Sequence, residues 1–567
     1  MHSSHSGLRA VSSLARRRFI QGAAALGALV ATGRASGETP PGTTRNTFDL
    51  VIGAAPVILT GRKAIATCVD GVVPGPTLRW RQGELVTVNV TNRLSEPTSL
   101  HWHGIRTPTG MDGVPGLSFA GIAPGETFTY RFPVHQSGTY WYHSHSGMQE
   151  QTGLYGAVII DPKNGYADSF DRDHVVMLSD WSDEDPRTIV SNLKFQSDYY
   201  NFHQRTLGTF LGDASKDGLA HTVGDRLEWG RMRMSPTDIA DVTGAVYTYL
   251  MNGQPPAANW SALFKPGERV RLRFINASSM TFFDVRIPGL RMRVVQADGN
   301  DVEPVIVDEF RIGAGETYDA IVEPADGPYT IFAQSADRSG FARGTLTSRP
   351  GMEAPVPALD PVPLRTMADM GMGKMAMAGM SMGNMDMSAM PGMSMGDAKG
   401  AVVEGVSVDN VAMAPTDRLS EAGDGLDGNG RRVLTYADLR ARIKGDDPRP
   451  PSREIIFRLT GNMERYIWGF DGKKFSEAEP IRVALYERVR LVLINDTMME
   501  HPIHLHGLWS ELENGQGEYR PYKHTVIVKP GEKLSTLVTA DEPGLWAFHC
   551  HLLYHMETGM MRTVVVA

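Results

Sequence analysis

Cysteine is almost missing from this chain. Only Cys68 and Cys550 occur in 567 residues, so a disulfide framework is excluded and at most one bridge can form. Long apolar runs are missing too. The longest uncharged candidate, residues 22–32, is too short for a comfortable membrane span, and the reading is of a mature chain without one. Positive charge is not in excess: 56 Lys and Arg against 64 Asp and Glu leave a net charge of −8, which removes the electrostatic case for a nucleic-acid partner. What remains is an ordinary soluble composition, 41% hydrophobic and 21% charged, long enough for three or four domains. Methionine is the anomaly at 29 residues.

The N-terminus reads as an address. Arg16-Arg17-Arg18-Phe19-Ile20 precedes the short apolar run, and small residues follow at Ala35-Ser36-Gly37. This pattern fits a twin-arginine export signal spanning residues 1–37, and so a periplasmic protein exported in the folded state. Beyond it the chain reads as strands. Residues 84–91 alternate apolar and polar, and similar runs recur at 127–133, 157–160, 269–275 and 488–494.

An internal repeat organises them. "PGETFTYRF" (124–132), "PGERVRLRF" (266–274) and "PGEKLSTLV" (530–538) share a Pro-Gly-Glu turn leading into a strand. "RQGELVTVNVTN", "KPGERVRLRFIN" and "ALYERVRLVLIND" share an extended run ending in Asn, once per third of the chain. Three copies of one β-sandwich are predicted, over 45–165, 170–348 and 452–567. Residues 187–240 should add helices and loops to the second. Residues 350–450, rich in Pro, Gly, Met and Asp, should form a flexible linker with a short helix at 436–443.

Ten of the 17 histidines fall in four clusters: His101 and His103; His143 and His145; His501, His504 and His506; His549, His551 and His555. Residues i and i+2 of a strand point the same way, so each His-x-His pair offers two imidazoles on one face. The pairs 101/103, 143/145, 504/506 and 549/551 supply more ligands than one ion accepts, which implies a multinuclear site. Imidazole does not name the metal, but Cys550 does. One thiolate, two imidazoles and a weak axial thioether make a blue-copper electron-transfer site, and Cys550, His501, His555 and Met560 fill it. His549 and His551 then join that site to the cluster through a few covalent bonds. His135, His174, His203 and His524 are expected to be ordinary core or surface residues, and Cys68 a small buried hydrophobe.

On these residues the chain resembles the multicopper oxidase family, whose motifs correspond to "HWHG" (101–104), "WYHSH" (141–145), "HPIHLHG" (501–507) and "HCHLLYHMETGM" (549–560). Within it, the chain resembles the periplasmic copper-resistance oxidases, as do "RMRMSPTDIADVTGAVYTYLMNG" (231–253) and "LTGNMERYIWGFDGKKF" (459–475). The resemblance implies an all-β protein of three cupredoxin-like Greek-key sandwiches. It implies four copper ions: type 1 on His501, Cys550, His555 and Met560; type 2 on His101 and His504; and a type 3 pair on His103, His143, His145, His506, His549 and His551. It also implies dioxygen as electron acceptor. Asp112 matches the acidic residue that the family places near the type 2 copper, although an Asp-Gly turn explains it equally. Family members often carry a carboxylate directly beside the last type 1 histidine; here those places hold Tyr554 and Met556, and Glu557 lies one residue further on. The proton-delivering carboxylate is therefore open between Asp112 and Glu557.

From Met367 to Met395 methionine recurs every two or three residues. Thioether selects Cu(I), so this stretch is read as a copper-capturing segment rather than compositional drift. Met498, Met499 and Met556 flank type 1 ligands and are either a cuprous docking site or core filler. Cu(I) is the first-ranked reductant. A small phenol, as in a laccase, is second, and a copper-storage role through the methionine segment is third. Copper-delivery proteins of the periplasm are the expected partners.

Overall fold

The computed structural model describes residues 46–232, 234–371 and 405–567. The export signal and nearly all of the methionine stretch lie outside the described residues. The described residues form one compact unit built on six sheets, two for each sandwich. All five predicted strands are present, at Leu85–Asn92, Thr127–Pro133, Tyr155–Asp161, Val270–Asn276 and Arg488–Asn495.

The sandwiches share a wiring that explains the repeat. In each, an opening strand runs parallel to the Asn-terminated strand: Thr47–Ile52 beside Thr87–Asn92, Arg172–Leu178 beside Val270–Asn276, and Arg453–Leu459 beside Val489–Asn495. The recurring Asn ends the strand as a buried staple. The side-chain amide of Asn92 donates to the carbonyls of Glu96 and Ile122, that of Asn276 to Thr281 and Ile312, and that of Asn495 to Met499 and Val528. Such paired donation satisfies carbonyls that would otherwise be orphaned where the chain turns between sheets.

The Pro-Gly-Glu turns are less uniform than their text. Those at 124 and 530 lead into equivalent strands, Thr127–Pro133 and Lys533–Thr539, each antiparallel to the Asn-terminated strand. The turn at 266 leads into the Asn-terminated strand itself, because in the second sandwich the equivalent partner is Thr317–Val322.

The predicted insertion consists of three helices, α1 (Pro186–Phe195), α2 (Leu207–Asp217) and α3 (Leu219–Met232), between the paired strands Arg172–Trp181 and Thr248–Met251. Asp185 caps α1 by accepting from the Arg187 amide, with Pro186 in the first turn and Ile189, Val190 and Leu193 on the buried face. No helix among the described residues is long and apolar enough to cross a membrane.

Residues 405–450 depart from the expected flexible linker. Leu419, Leu426, Leu434 and Leu439 are buried in the common core, and Thr416 pairs with Glu532. The predicted helix at 436–443 is only a 3-10 turn, Tyr436–Asp438. The side-chain amide of Asn514 captures the carbonyls of Tyr436 and Leu439. The chain then pairs outward, the Ala441 amide donating to Tyr519 and the Arg440 carbonyl accepting from Glu303. These bonds take the groups a helix would need.

Candidate metal centre

Register places the histidines. His101–His103 lies antiparallel to Gly138–His143 with His101 opposite His143. His501–Leu505 lies antiparallel to Gly544–Cys550 with His504 opposite His549 and Ile503 opposite Cys550. Alternation along the strand therefore turns His549 toward the first sandwich and Cys550 to the other face. Eight imidazoles, four from each of the outer sandwiches, meet between them.

Their nitrogens form overlapping triads whose atoms lie within 4.8 Å of one another: His103, His143 and His551; His145, His506 and His549; and His101, His103 and His504. In His101, His103, His143 and His504 one ring nitrogen is tied to the protein and the other is bare, while in His551 both are bare. Nδ1 of His101 meets the Asp112 carbonyl at 2.8 Å, Nδ1 of His504 the His524 carbonyl at 2.6 Å, and Nδ1 of His143 the Glu150 carboxylate at 2.6 Å. The opposite nitrogens, Nε2 of His101, His143, His145 and His504, are buried without a hydrogen-bond partner in the protein. His103 is turned the other way round: Nε2 meets Thr525 Oγ1 at 3.1 Å and Nδ1 is bare. Nε2 of His506 and Nε2 of His549 face each other at 3.0 Å. So many bare nitrogens converging in one buried space fit a site for metal cations, since each left unpaired would cost about 1–3 kcal/mol. Burial, then neighbouring imidazoles, holds His103, His143, His145, His504, His506 and His551 well below the usual histidine range, and burial brings His549 down to about 4. They are neutral and ready to ligate.

Asp112 is buried behind this cluster, Oδ2 at 2.9 Å from His506 Nδ1 and Oδ1 at 3.3 Å from His101 Nδ1. It thus orients imidazoles from both outer sandwiches, the arrangement that fixes tautomers at metal sites. The second sandwich contributes a cradle at Gly315, which has φ of 91°; a Cβ there would lie 3.0 and 3.1 Å from the rings of His551 and His103.

On the other face of the strand, Cys550 Sγ lies 3.5 Å from His501 Nδ1 and 3.7 Å from His555 Nδ1. Met560 is fully buried, and its backbone closes on both sides, its carbonyl accepting from the Cys550 amide and its amide donating to His555. The outer nitrogens are held: His501 Nε2 by Thr497 Oγ1 at 2.7 Å and His555 Nε2 by Asp241 Oδ2 at 2.6 Å. Tyr466 donates to the same Asp241 oxygen at 2.9 Å, and Trp468 stacks on His555 with ring centroids 3.9 Å apart. His501, Cys550, His555, Asp241, Tyr466 and Trp468 are all buried.

The structure thus gathers every sequence-predicted ligand except that Met560 enters through its backbone contacts, and it places Asp112 among them. Glu557 stands apart, exposed on α4 (Leu553–Glu557). Cys68 is buried, with Sγ 3.4 Å from the Gly53 carbonyl, and both cysteines are free. Met498 and Met499 are buried in the core. His524, expected to be ordinary, instead lies against the centre with Nδ1 3.2 Å from His103 Nε2. Sequence reasoning also missed Glu150, which belongs to no His-x-His spacing, and Asp241, which lies in the loop between α3 and Thr248–Met251. The only signal for Asp241 was its place in the subgroup motif at 231–253.

Sequence models of the multicopper oxidase family match residues 53–165, 172–349 and 448–567, one per sandwich. The chain belongs to the multicopper oxidase family, and the centre described above is that of a copper-dependent oxidase. It is 54% identical to a copper resistance protein A homolog of Pseudomonas syringae pv. tomato, over 97% of this chain and 99% of that one. It is 53% identical to copper resistance protein A of Escherichia coli, over 92% of each. The fold is shared with Fet3p, a multicopper oxidase that functions in iron import, at a TM-score of 0.65 and 19% identity, over 92% of this chain and 90% of that one.

Proposed function

We propose that this chain is a periplasmic copper-resistance oxidase that oxidises Cu(I) to Cu(II) and uses the electrons to reduce dioxygen to water. His501, Cys550, His555 and Met560 would hold a type 1 copper. His101 and His504 would hold a type 2 copper, and His103, His143, His145, His506, His549 and His551 a type 3 pair. Bound there, copper supplies the one-electron acceptor and the four-electron reduction of dioxygen. The chain's own part is geometric. Cys550 and its neighbours His549 and His551 join the two sites by a few bonds of backbone, Asp112 fixes the tautomers of His101 and His506, and the buried frame excludes bulk water.

The observation that carries Cu(I) as reductant is the closure around His555. Asp241 takes its outer nitrogen, Trp468 covers its face, and all three are buried, so an organic ring has no edge of His555 to lie against. A carboxylate at that edge suits a small cation instead. The name of the relatives, copper resistance protein A, and the methionine-rich segment support the same reading.

The test is oxygen uptake by the copper-loaded protein with Cu(I) as sole reductant, beside a simple phenol and a control for free-copper chemistry. Rapid uptake with Cu(I) and slow uptake with phenol is expected. Rapid phenol turnover with no response to Cu(I) would overturn the substrate assignment and leave a laccase.

A further inference from the structure

Residues 149–151 form a buried polar tripeptide, Gln149-Glu150-Gln151, each side chain at most 4% exposed, in the loop that follows His145. Three consecutive buried polar side chains are costly unless each has a defined partner. Gln149 has them locally, its Oε1 accepting from Thr98 at 2.7 Å and Ser144 at 2.9 Å. The other two reach further. Glu150 Oε2 stands 2.6 Å from His143 Nδ1. Gln151 Oε1 accepts from Tyr247 at 2.6 Å in the second sandwich and from Tyr554 at 3.2 Å in the third, while its amide donates to the Asp180 carbonyl at 3.3 Å. Tyr554 lies in the segment between His551 and His555.

We infer that Glu150 is a positioning residue of the metal centre, holding His143 from within the first sandwich. Its Oε2 accepts the Nδ1–H of His143 and so presents the bare Nε2 to the metal. Gln151, next in the chain, ties Tyr554 to the same loop, so one dipeptide fixes a histidine of the cluster and the segment joining the cluster to the Cys550 site. The inference rests on the assignment of His143 as a copper ligand.

The experiment compares wild-type, Glu150→Gln and Glu150→Leu holoproteins by copper per chain, rate of copper loss to a chelator, and the blue absorption of the Cys550 site. Glu150→Leu should release copper from the histidine cluster with roughly 10–100-fold weaker retention while the blue band persists, because the lost group orients a ligand only there. Glu150→Gln, whose amide oxygen still accepts from Nδ1, should rescue most of the retention. Copper held by Glu150→Leu as firmly as by the wild type overturns the assignment. If that variant does not fold, Glu150→Asp takes its place: it keeps the charge but shortens the reach, and wild-type retention in it overturns the assignment equally. A wild-type protein that binds no copper at these histidines would instead overturn the proposed function, whichever way the Glu150 variants behave.

Discussion

At the scale of single residues, the chemistry rests on which nitrogen or sulfur is left without a partner. Cys550 is the sharpest case: the Cys550→Ser protein should lose the blue absorption and oxidase turnover while unfolding within a few degrees of the wild type, as thermal denaturation would record, since the change is nearly isosteric. Asp241 makes a different demand. Asp241→Ala should slow Cu(I) oxidation about 10–100-fold and raise the ratio of phenol to Cu(I) turnover, because the outer nitrogen of His555 is uncovered; an unchanged ratio in steady-state assays would show that the cap does not set specificity. His549 carries a pH signature in the copper-free protein. Its folded-state value of about 4 lies below the unfolded one, so its contribution is fully present above about pH 6.5 and is lost as pH falls toward 4. Copper-free wild type and His549→Gln, compared by denaturant titration across that window, should differ by a term that shrinks by about 3 kcal/mol. That the His-x-His pairs come together was legible from spacing, because a period of two on a strand is a local property. Asp241 and His524 were not, because nothing local in sequence marks a residue whose partner lies more than three hundred positions away, and Glu150 was not, because its seven-residue separation from His143 fits neither strand nor helix period.

At the scale of elements, strands and their Asn staples follow from alternation and repeat, whereas residues 405–450 do not. Their composition reads as a linker, yet their leucines are spent on a core shared with the second and third sandwiches. Tertiary contacts override composition here: Asn514 and the edge of Asn300–Val307 offer this segment partners that its own sequence cannot announce. The consequence is measurable. Leu439→Ala should destabilise the copper-free protein by about 2–5 kcal/mol in chemical denaturation, as a core truncation does, where a loose strap would show almost nothing.

At the scale of the whole molecule, the outer sandwiches touch through the centre and through a rim where Arg106 pairs with Asp541 and lies over Trp509, and Thr109 donates to the Leu545 carbonyl. With imidazoles drawn from both sides, copper held as proposed would bridge that junction. Copper-loaded protein should therefore unfold at a higher temperature than copper-free protein, and limited proteolysis after chelation should cut at the junction of the first and third sandwiches sooner than before it.

The even division of the eight imidazoles has one more consequence. Residues 101–145 and 504–551 stand at opposite ends of the described chain, and neither set closes a triad of the joint kind without the other. A ribosome that stops early, or a chain clipped before its last fifty residues, yields a molecule that can keep His101 beside His143 and His145 but has lost the triads that need His549 or His551 and the whole Cys550 set. Full copper occupancy is thus a certificate of completeness, issued only to a molecule whose beginning and end have found each other.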